Sequence, residues 1–400
     1  MEANVLLTYG WVRSSYAALR NLTKYGLKVT VSDSSSIGMS QLSRFKEGFE
    51  KYTSHYEDEE QFIEDLVSIC KRKEIDLIFP SHNETEIIAK YRHRFPPKLT
   101  QLIPEEHHCS IFNNKSRAYE LVNSLGIPVP KRLEYKDPLT LSKELESNNM
   151  HKTVIKLLTG NSAKGVFYSN SPLESQSIVL KLIEAYKLSP DRYPQIEEYV
   201  SGEGYGSSVL YWKGQLIANF THKRLRDKIE SGGTSTLREV AQHKGIETAA
   251  MKIFDHIGWN GLAMCEFKVC PRTHKFWFIE VNPRMWGSIP LSINAGVEFP
   301  ALACMCVTKG PNAAIEHYKQ TSKKLNWRAR WILGDIFVAV RNLCRFQFTA
   351  FRSILSNRGI DSVDDFFWDD PWVFFGQILF YFKNTFSKMS FNPSEKGMLK

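Results

Sequence analysis

The run Phe278-Ile279-Glu280-Val281-Asn282-Pro283-Arg284 constrains this chain more than any other segment. Alternation places Glu280 and Asn282 on one face of a strand and Ile279 and Val281 on the other, and the proline ends it. A second strand-like run, Leu262 to Val269, lies upstream, with Pro271-Arg272-Thr273-His274 as the turn between them. A hairpin closed there brings Glu266 beside Glu280, so two carboxylates, an amide and Arg284 line one surface. Oxygen ligands of this kind suit a hard divalent cation bound to a triphosphate. A solvated polar hairpin explains Glu280 and Asn282 equally well when they are taken alone, so the rest of the chain must decide.

Four hundred residues allow two or three domains with ample core. With 42% apolar and 24% charged residues, the composition is that of a globular protein. The net charge of +9 fits an anionic ligand such as a nucleotide, and fits nucleic acid or an acidic membrane equally. Residues 321–400 hold twelve Lys/Arg and seven Asp/Glu, so +5 of the excess lies away from the hairpin. Seven cysteines occur without a CxxC pair or a histidine cluster, which argues against a zinc site and for reduced thiols inside a cell. No charged segment followed by an apolar one opens the chain, so no leader peptide is expected. No run of about 20 apolar residues occurs, so no membrane-spanning helix is expected.

Strands alternate with helices over residues 1–105. Val5 to Gly10 is a strand ending in a glycine turn, a helix runs from about Ser14 to Tyr25, and Lys28 to Asp33 is the next strand. This alternation predicts a parallel, doubly wound sheet. The dinucleotide fingerprint GxGxxG is absent, and Asp33 reads better as a turn residue than as a ribose ligand. A helix over 114–126 closes at Gly126, and Ile127-Pro128-Val129-Pro130 forces an extended segment. From about 191 to 285 the strands are mostly antiparallel, with a hairpin about Trp212-Lys213-Gly214. Residues 326–355 read as helical, with Trp331, Ile332, Ile336, Val340 and Leu343 on one side. Residues 366–386 carry ten aromatics, which either bury against the body or lie on a membrane or partner surface.

Chemistry-bearing residues recur in order. Lys156 ends a strand and precedes the small-residue loop Thr159 to Val166, which carries Gly160, Ser162, Lys164 and Gly165. Such a loop lets backbone N–H groups approach phosphate oxygens. Glu197, Glu198 and Val200 lie on a strand edge before a glycine turn, where backbone groups can pair an adenine ring.

Taken together, this order resembles the ATP-grasp superfamily over residues 1 to about 310, most strongly from 113 to 290. The resemblance rests on Asn114-Lys115, Gly126-Ile127-Pro128-Val129-Pro130, the Gly160–Gly165 loop, and Glu266, Glu280, Asn282 and Arg284. Trp286-Gly287-Ser288 with Asn294-Ala295-Gly296 is similar to the carbamoyl-phosphate-synthase-like carboxylate–amine ligases. His222-Lys223-Arg224-Leu225-Arg226 with Ser231-Gly232-Gly233-Thr234 is similar to that subgroup's mobile basic loop. The resemblance implies that Lys115 and Lys156 contact ATP phosphates, that Gly160 to Gly165 cover them, and that Glu197, Glu198 and Val200 form the adenine hinge. It implies Mg²⁺ ligation by Glu266, Glu280 and Asn282, with Mn²⁺ as an alternative ion. Arg284, Lys223 and Arg226 would stabilise the transferred phosphoryl group. One departure concerns ribose: Gly204 stands where relatives carry a glutamate, leaving Glu203 as the candidate.

The expected architecture is α/β and α+β. A pre-ATP-grasp domain (1–105) is followed by two ATP-grasp subdomains (106–190 and 191–320) and a helical, aromatic-rich extension (321–400). The expected function is ATP-dependent carboxylate–amine ligation through an acyl phosphate, on small-molecule or carrier-bound substrates. Two alternatives stay open: a thiol, hydroxyl or ammonia acceptor, and a non-catalytic ATP-binding scaffold. Nucleic acid is not expected as a partner. A cytoplasmic protein is expected, with peripheral membrane contact through 366–386 and homodimerisation as further possibilities.

Overall fold

The computed structural model describes residues 2–160, 165–229, 232–356 and 358–388. Ser162, Lys164 and Ser231 lie outside the described residues. The first sheet holds β1 (Asn4–Leu7), β2 (Lys28–Asp33), β3 (Gly48–Lys51) and β4 (Leu77–Phe79) in the order β3-β2-β1-β4, all parallel. Val5, Leu7, Val29 and Val31 meet Leu19 and Leu22 of helix Arg13–Lys24 in one fully buried layer. Ligands of such sheets bind beyond the carboxyl ends of the strands, where the loop after β1 leads into helix Arg13–Lys24. Asp33, the last residue of β2, braces the loops around it: its carboxylate accepts from the Trp11 and Ser35 amides at 2.8 and 2.9 Å.

The second sheet holds β5 (Arg132–Leu133), β6 (Thr153–Lys156), β7 (Val166–Ser169) and β8 (Gln195–Glu198) in the antiparallel order β5-β8-β6-β7. Ile155 and Ile196 pack under Leu145 and Val179 of the two helices that cover it. Helix Pro172–Tyr186 begins where Ser171 accepts from the Glu174 amide and Pro172 takes the first helical position.

The third sheet is the framework of the site. It holds β9 (Glu203–Trp212), β10 (Gln215–Ile229), β11 (Gly232–Val240), β12 (Gly261–Val269), β13 (Phe276–Asn282), β14 (Arg328–Arg330) and β15 (Ser362–Val363). Their order is β13-β12-β9-β10-β11-β14-β15. Lys213 and Gly214 close the β9–β10 hairpin with φ of 48° and 83°, the positive pair that a two-residue turn requires. Helix Lys244–Ile257 lays Ala250, Ile253 and Phe254 on Val209, Ala263 and Cys265 and ends at Gly258 in the left-handed region.

The C-terminal region departs from the sequence reading in two places. Residues 328–330 form a strand instead of the start of a helix: β14 pairs with β11 and buries Ala329, which covers an edge otherwise open to pairing. The stripe Ile336, Val340 and Leu343 faces out, whereas Leu333, Val338 and Ala339 of helix Ile332–Cys344 face in. Two apolar stripes share this helix, and only the neighbouring sheet selects between them.

Helix Trp372–Lys388 returns to the first domain. Val373, Gln377 and Phe380 are buried, and Phe380 stacks on Trp11 with centroids 4.3 Å apart. Gly376 is required there, because an added Cβ would stand 2.3 Å from the Gly38 carbonyl oxygen. The opposite face exposes Trp372, Phe375, Leu379 and Phe382. Among the described residues no helix is long and apolar enough to cross a membrane.

Candidate active site

A cleft of about 400 Å³ opens where the three sheets meet. On one side stand Pro130, Val154, Val166 and Tyr168, with Glu197 to Val200 along the edge of β8. Lys156 ends β6 and donates from Nζ to Glu197 Oε2 at 2.7 Å, with both side chains almost wholly buried. Gln195 Nε2 donates to the other Glu197 oxygen at 2.6 Å. Lys115 donates from Nζ to the Gly160 carbonyl oxygen at 3.0 Å. Burial lowers the pKa of its ammonium, against the attraction of Glu280. Gly160 and Gly165 both take positive φ and bracket the loop outside the described residues.

On the floor, Glu266 of β12 stands directly opposite Glu280 of β13, and Met264 opposite Asn282. The hairpin expected from the sequence is thus present, in the register that sets the two carboxylates side by side. Asn282 Nδ2 donates to Glu266 Oε1 at 3.2 Å, and Arg224 Nη2 pairs with that oxygen at 2.5 Å. Burial raises the Glu266 pKa, and the neighbouring Glu280 charge adds to it. Two adjacent carboxylates and an amide oxygen are the donor set of a hard cation that takes further ligands from phosphate and water. Among the described residues no three His, Cys, Asp or Glu side chains converge as a self-sufficient metal site. Arg284, just past β13, also lines the cleft and donates from Nε to Asn83 Oδ1 at 2.9 Å.

Among the described residues named from the sequence, Lys115, Gly160, Gly165, Glu203, Lys223 and Arg226 do not line the cleft. Gly206 stands opposite both Glu266 and His222, which puts Glu266, His222 and therefore Arg224 on one face of the sheet. Lys223 points the other way, where its Nζ pairs with Glu203 Oε2 at 2.8 Å. Glu203 is therefore a partner of Lys223 and lies outside the cleft lining. Arg226 follows register shifts in β10 and binds Asp335 through Nε at 2.9 Å and Nη2 at 2.5 Å. The group that the sequence reading passed over is Arg224. The alternating glycines Gly204 and Gly206 were its available signal: added Cβ atoms would lie 3.1 Å from Arg224 Cδ and 2.3 Å from His222 Cε1. Glycine stands at 204 because the arginine stem lies across it. Asp227, half-buried in the same wall, was also missed.

The parallel domain, the antiparallel β8-β6 sheet and the long sheet bearing the paired carboxylates together form an ATP-grasp fold, which this chain shares with the solved structures named below. Within it, residues 195–331 match the family described as ATP-grasp in the biosynthetic pathway with Ter operon. Pyruvate carboxylase of Bacillus subtilis (strain 168) is 24% identical over 243 residues, covering 56% of this chain and 20% of that protein. The chain thus spans about a fifth of the length of the curated relatives it matches. The biotin carboxylase βγ-ATP complex from Campylobacter jejuni superposes with a TM-score of 0.64 at 15% identity, covering 81% of this chain and 74% of the other. The biotin carboxylase domain dimer of Hydrogenobacter thermophilus 2-oxoglutarate carboxylase, solved with MgADP, ADP and bicarbonate, gives 0.59 at 14% identity over 74% and 68%.

Proposed function

We propose that the protein is an ADP-forming, ATP-dependent carboxylate–amine ligase. The observation that carries this reading is the convergence in one cleft of Lys156, the paired carboxylates Glu266 and Glu280, Asn282, and two arginines, Arg224 and Arg284. ATP would lie with its base between the β8 edge and Met264, its phosphates toward Lys156 and Lys115. Mg²⁺ held by Glu266, Glu280 and Asn282 would neutralise charge between the β- and γ-phosphates; Mn²⁺ suits the same oxygens. The γ-phosphoryl group passes to a substrate carboxylate and ADP leaves. An amine then attacks the acyl phosphate, loses a proton and expels phosphate. Arg284 and Arg224 offset the charge that develops on the transferred group. In this reading Arg224 takes the role that the resemblance implied for Lys223 and Arg226, which the fold turns elsewhere. A thiol, hydroxyl or ammonia acceptor would use the same residues equally well.

The exposed stripe Trp372, Phe375, Leu379 and Phe382 favours a second property. With a net +5 over residues 321–400, it suits peripheral contact with an anionic membrane.

The test is ADP and phosphate release from Mg²⁺-ATP with pooled carboxylic acids, with and without pooled amines, beside Glu280→Ala. Release that needs an acid and an amine and vanishes in the variant is the expected result. Full turnover by Glu280→Ala would refute the metal assignment.

A further inference from the structure

The cleft extends beyond the nucleotide residues into a compartment that the ATP-grasp sheets alone do not close. Its walls are Trp11 in the loop after β1, the start of helix Arg13–Lys24, Trp331 before helix Ile332–Cys344, and Tyr381 of helix Trp372–Lys388. Trp11 stands edge-on to Tyr381 at 6.5 Å, and Trp331 lies 6.1 Å from the same ring. Aromatic side chains thus line the compartment, with Trp11 and Tyr381 partly exposed to it, a lining suited to a planar apolar body.

The polar groups of this compartment face one place. Helix Arg13–Lys24 has no side-chain cap and no acidic residue in its first turn. Its first internal amide bond runs from Tyr16 to the Val12 carbonyl oxygen, which leaves the amides of Arg13, Ser14 and Ser15 without helical partners. Ser14 is 5% exposed, lines the cleft, and its hydroxyl has no hydrogen-bond partner among the described residues. A hydroxyl that faces the cleft with no protein partner is free to bond a ligand there. Arg13 spends Nη1 on Asp364, while its Nη2 lies against Gly287 in the cleft wall, 3.7 Å from where a Cβ would stand. Arg13, Arg238 and Lys228 surround Trp331 and Asp364, against the carboxylates Asp364 and Asp365. Of these cations Arg13 lines the cleft, and with the helix N-terminus it favours an anion there.

We infer that this compartment is the acid subsite, and that the acid is an aromatic carboxylate. Its carboxylate is held by the Ser14 hydroxyl, the first amides of helix Arg13–Lys24 and Arg13, with its ring against Trp11 and Tyr381. The inference rests on the ligase reading above and narrows its substrate class. It also explains why the C-terminal helix folds back over the first domain, since Tyr381 completes a wall that this domain lacks.

The experiment titrates acetate, benzoate, indole-3-acetate and inorganic phosphate into the full chain saturated with MgADP, read by calorimetry and intrinsic tryptophan fluorescence. Both aromatic acids should bind at least ~10-fold tighter than acetate or phosphate. Ser14→Ala should weaken benzoate by ~10-fold, the loss of a hydrogen bond to a charged group, with MgADP affinity unchanged. Tyr381→Leu should bring benzoate down toward acetate, again at constant MgADP affinity. Equal affinity for acetate and benzoate, tighter binding of phosphate, or unchanged benzoate binding by Ser14→Ala would overturn the inference. Selective binding of aromatic acids by a protein that does not bind MgADP would instead sink the ligase reading and leave the subsite standing.

Discussion

Replacing Lys156 with Met separates what the Lys156–Glu197 pair does for the fold from what it does for nucleotide. Lys156 is 5% and Glu197 3% exposed, and their charges meet at 2.7 Å. Methionine keeps the length and apolar character of the stem, so the main loss is the charge. Removing one partner of a buried pair costs about 3–5 kcal/mol, because the other charge is left without compensation. Glu197 keeps its 2.6 Å bond from Gln195, which puts the expected loss near the lower end, about 3 kcal/mol. Glu197→Gln added to Lys156→Met removes the stranded charge and should recover stability to within about 1 kcal/mol of wild type. Nucleotide affinity should not follow that recovery. Both variants lack the cation proposed to face the phosphates and should bind MgADP about 10- to 100-fold more weakly. Urea unfolding monitored by circular dichroism gives the first quantity and calorimetric titration of MgADP the second. A single-variant loss below about 1 kcal/mol would refute the buried pair. Wild-type MgADP affinity in the double variant would show that Lys156 serves the fold alone.

Asp335→Asn should cost about 3 kcal/mol in urea unfolding, because Arg226 and Arg330 both bind this buried carboxylate. MgADP affinity should stay within about threefold, and a selective loss of turnover without a stability change would restore a catalytic role to Arg226. Burial lowers the His55 pKa from 6.5 to about 4, so the folded protein holds it neutral while the unfolded chain protonates below 6.5. Its contribution is complete above pH 6.5 and is lost as the pH falls toward 4. Between pH 7 and 5 wild type should lose about 2 kcal/mol more than His55→Gln, and parallel pH profiles would contradict the assignment. Gly376→Ala drives a carbon into the Gly38 carbonyl and should cost about 1–3 kcal/mol, seen as faster proteolysis of the C-terminal helix. Vesicles containing phosphatidylserine should co-sediment the protein, and Trp372→Ser with Phe375→Ser should abolish this; equal binding to neutral vesicles would refute the electrostatic part.

The elements most legible in the sequence were those whose information is local. The alternation in 278–284 and the turn at 271–274 specify a hairpin, because side chains two apart share a face whatever surrounds them. Lys28–Asp33 appears as a strand with the bounds that its composition suggests. Parity failed to transfer where backbone irregularity intervened. Register shifts after Arg224 break the alternation in β10, so the choice among Lys223, Arg224 and Arg226 depends on cross-strand pairing. Gly204 looked like a missing ribose ligand, but its reason lies on the neighbouring strand.

By itself the sequence determined the alternating α/β start, the antiparallel sheet that follows, and the cations and carboxylates that the proposed nucleotide and metal site would use. These follow from periodicity and residue chemistry, which act over a few positions. Tertiary structure alone decided which basic residue of β10 meets Glu266, which stripe of helix Ile332–Cys344 is buried, and that Tyr381 reaches the cleft beside Trp11, 370 positions earlier. Each of these depends on which surface packs against which, and that choice is made by burial summed over the whole molecule, where no short segment carries enough free energy to decide it.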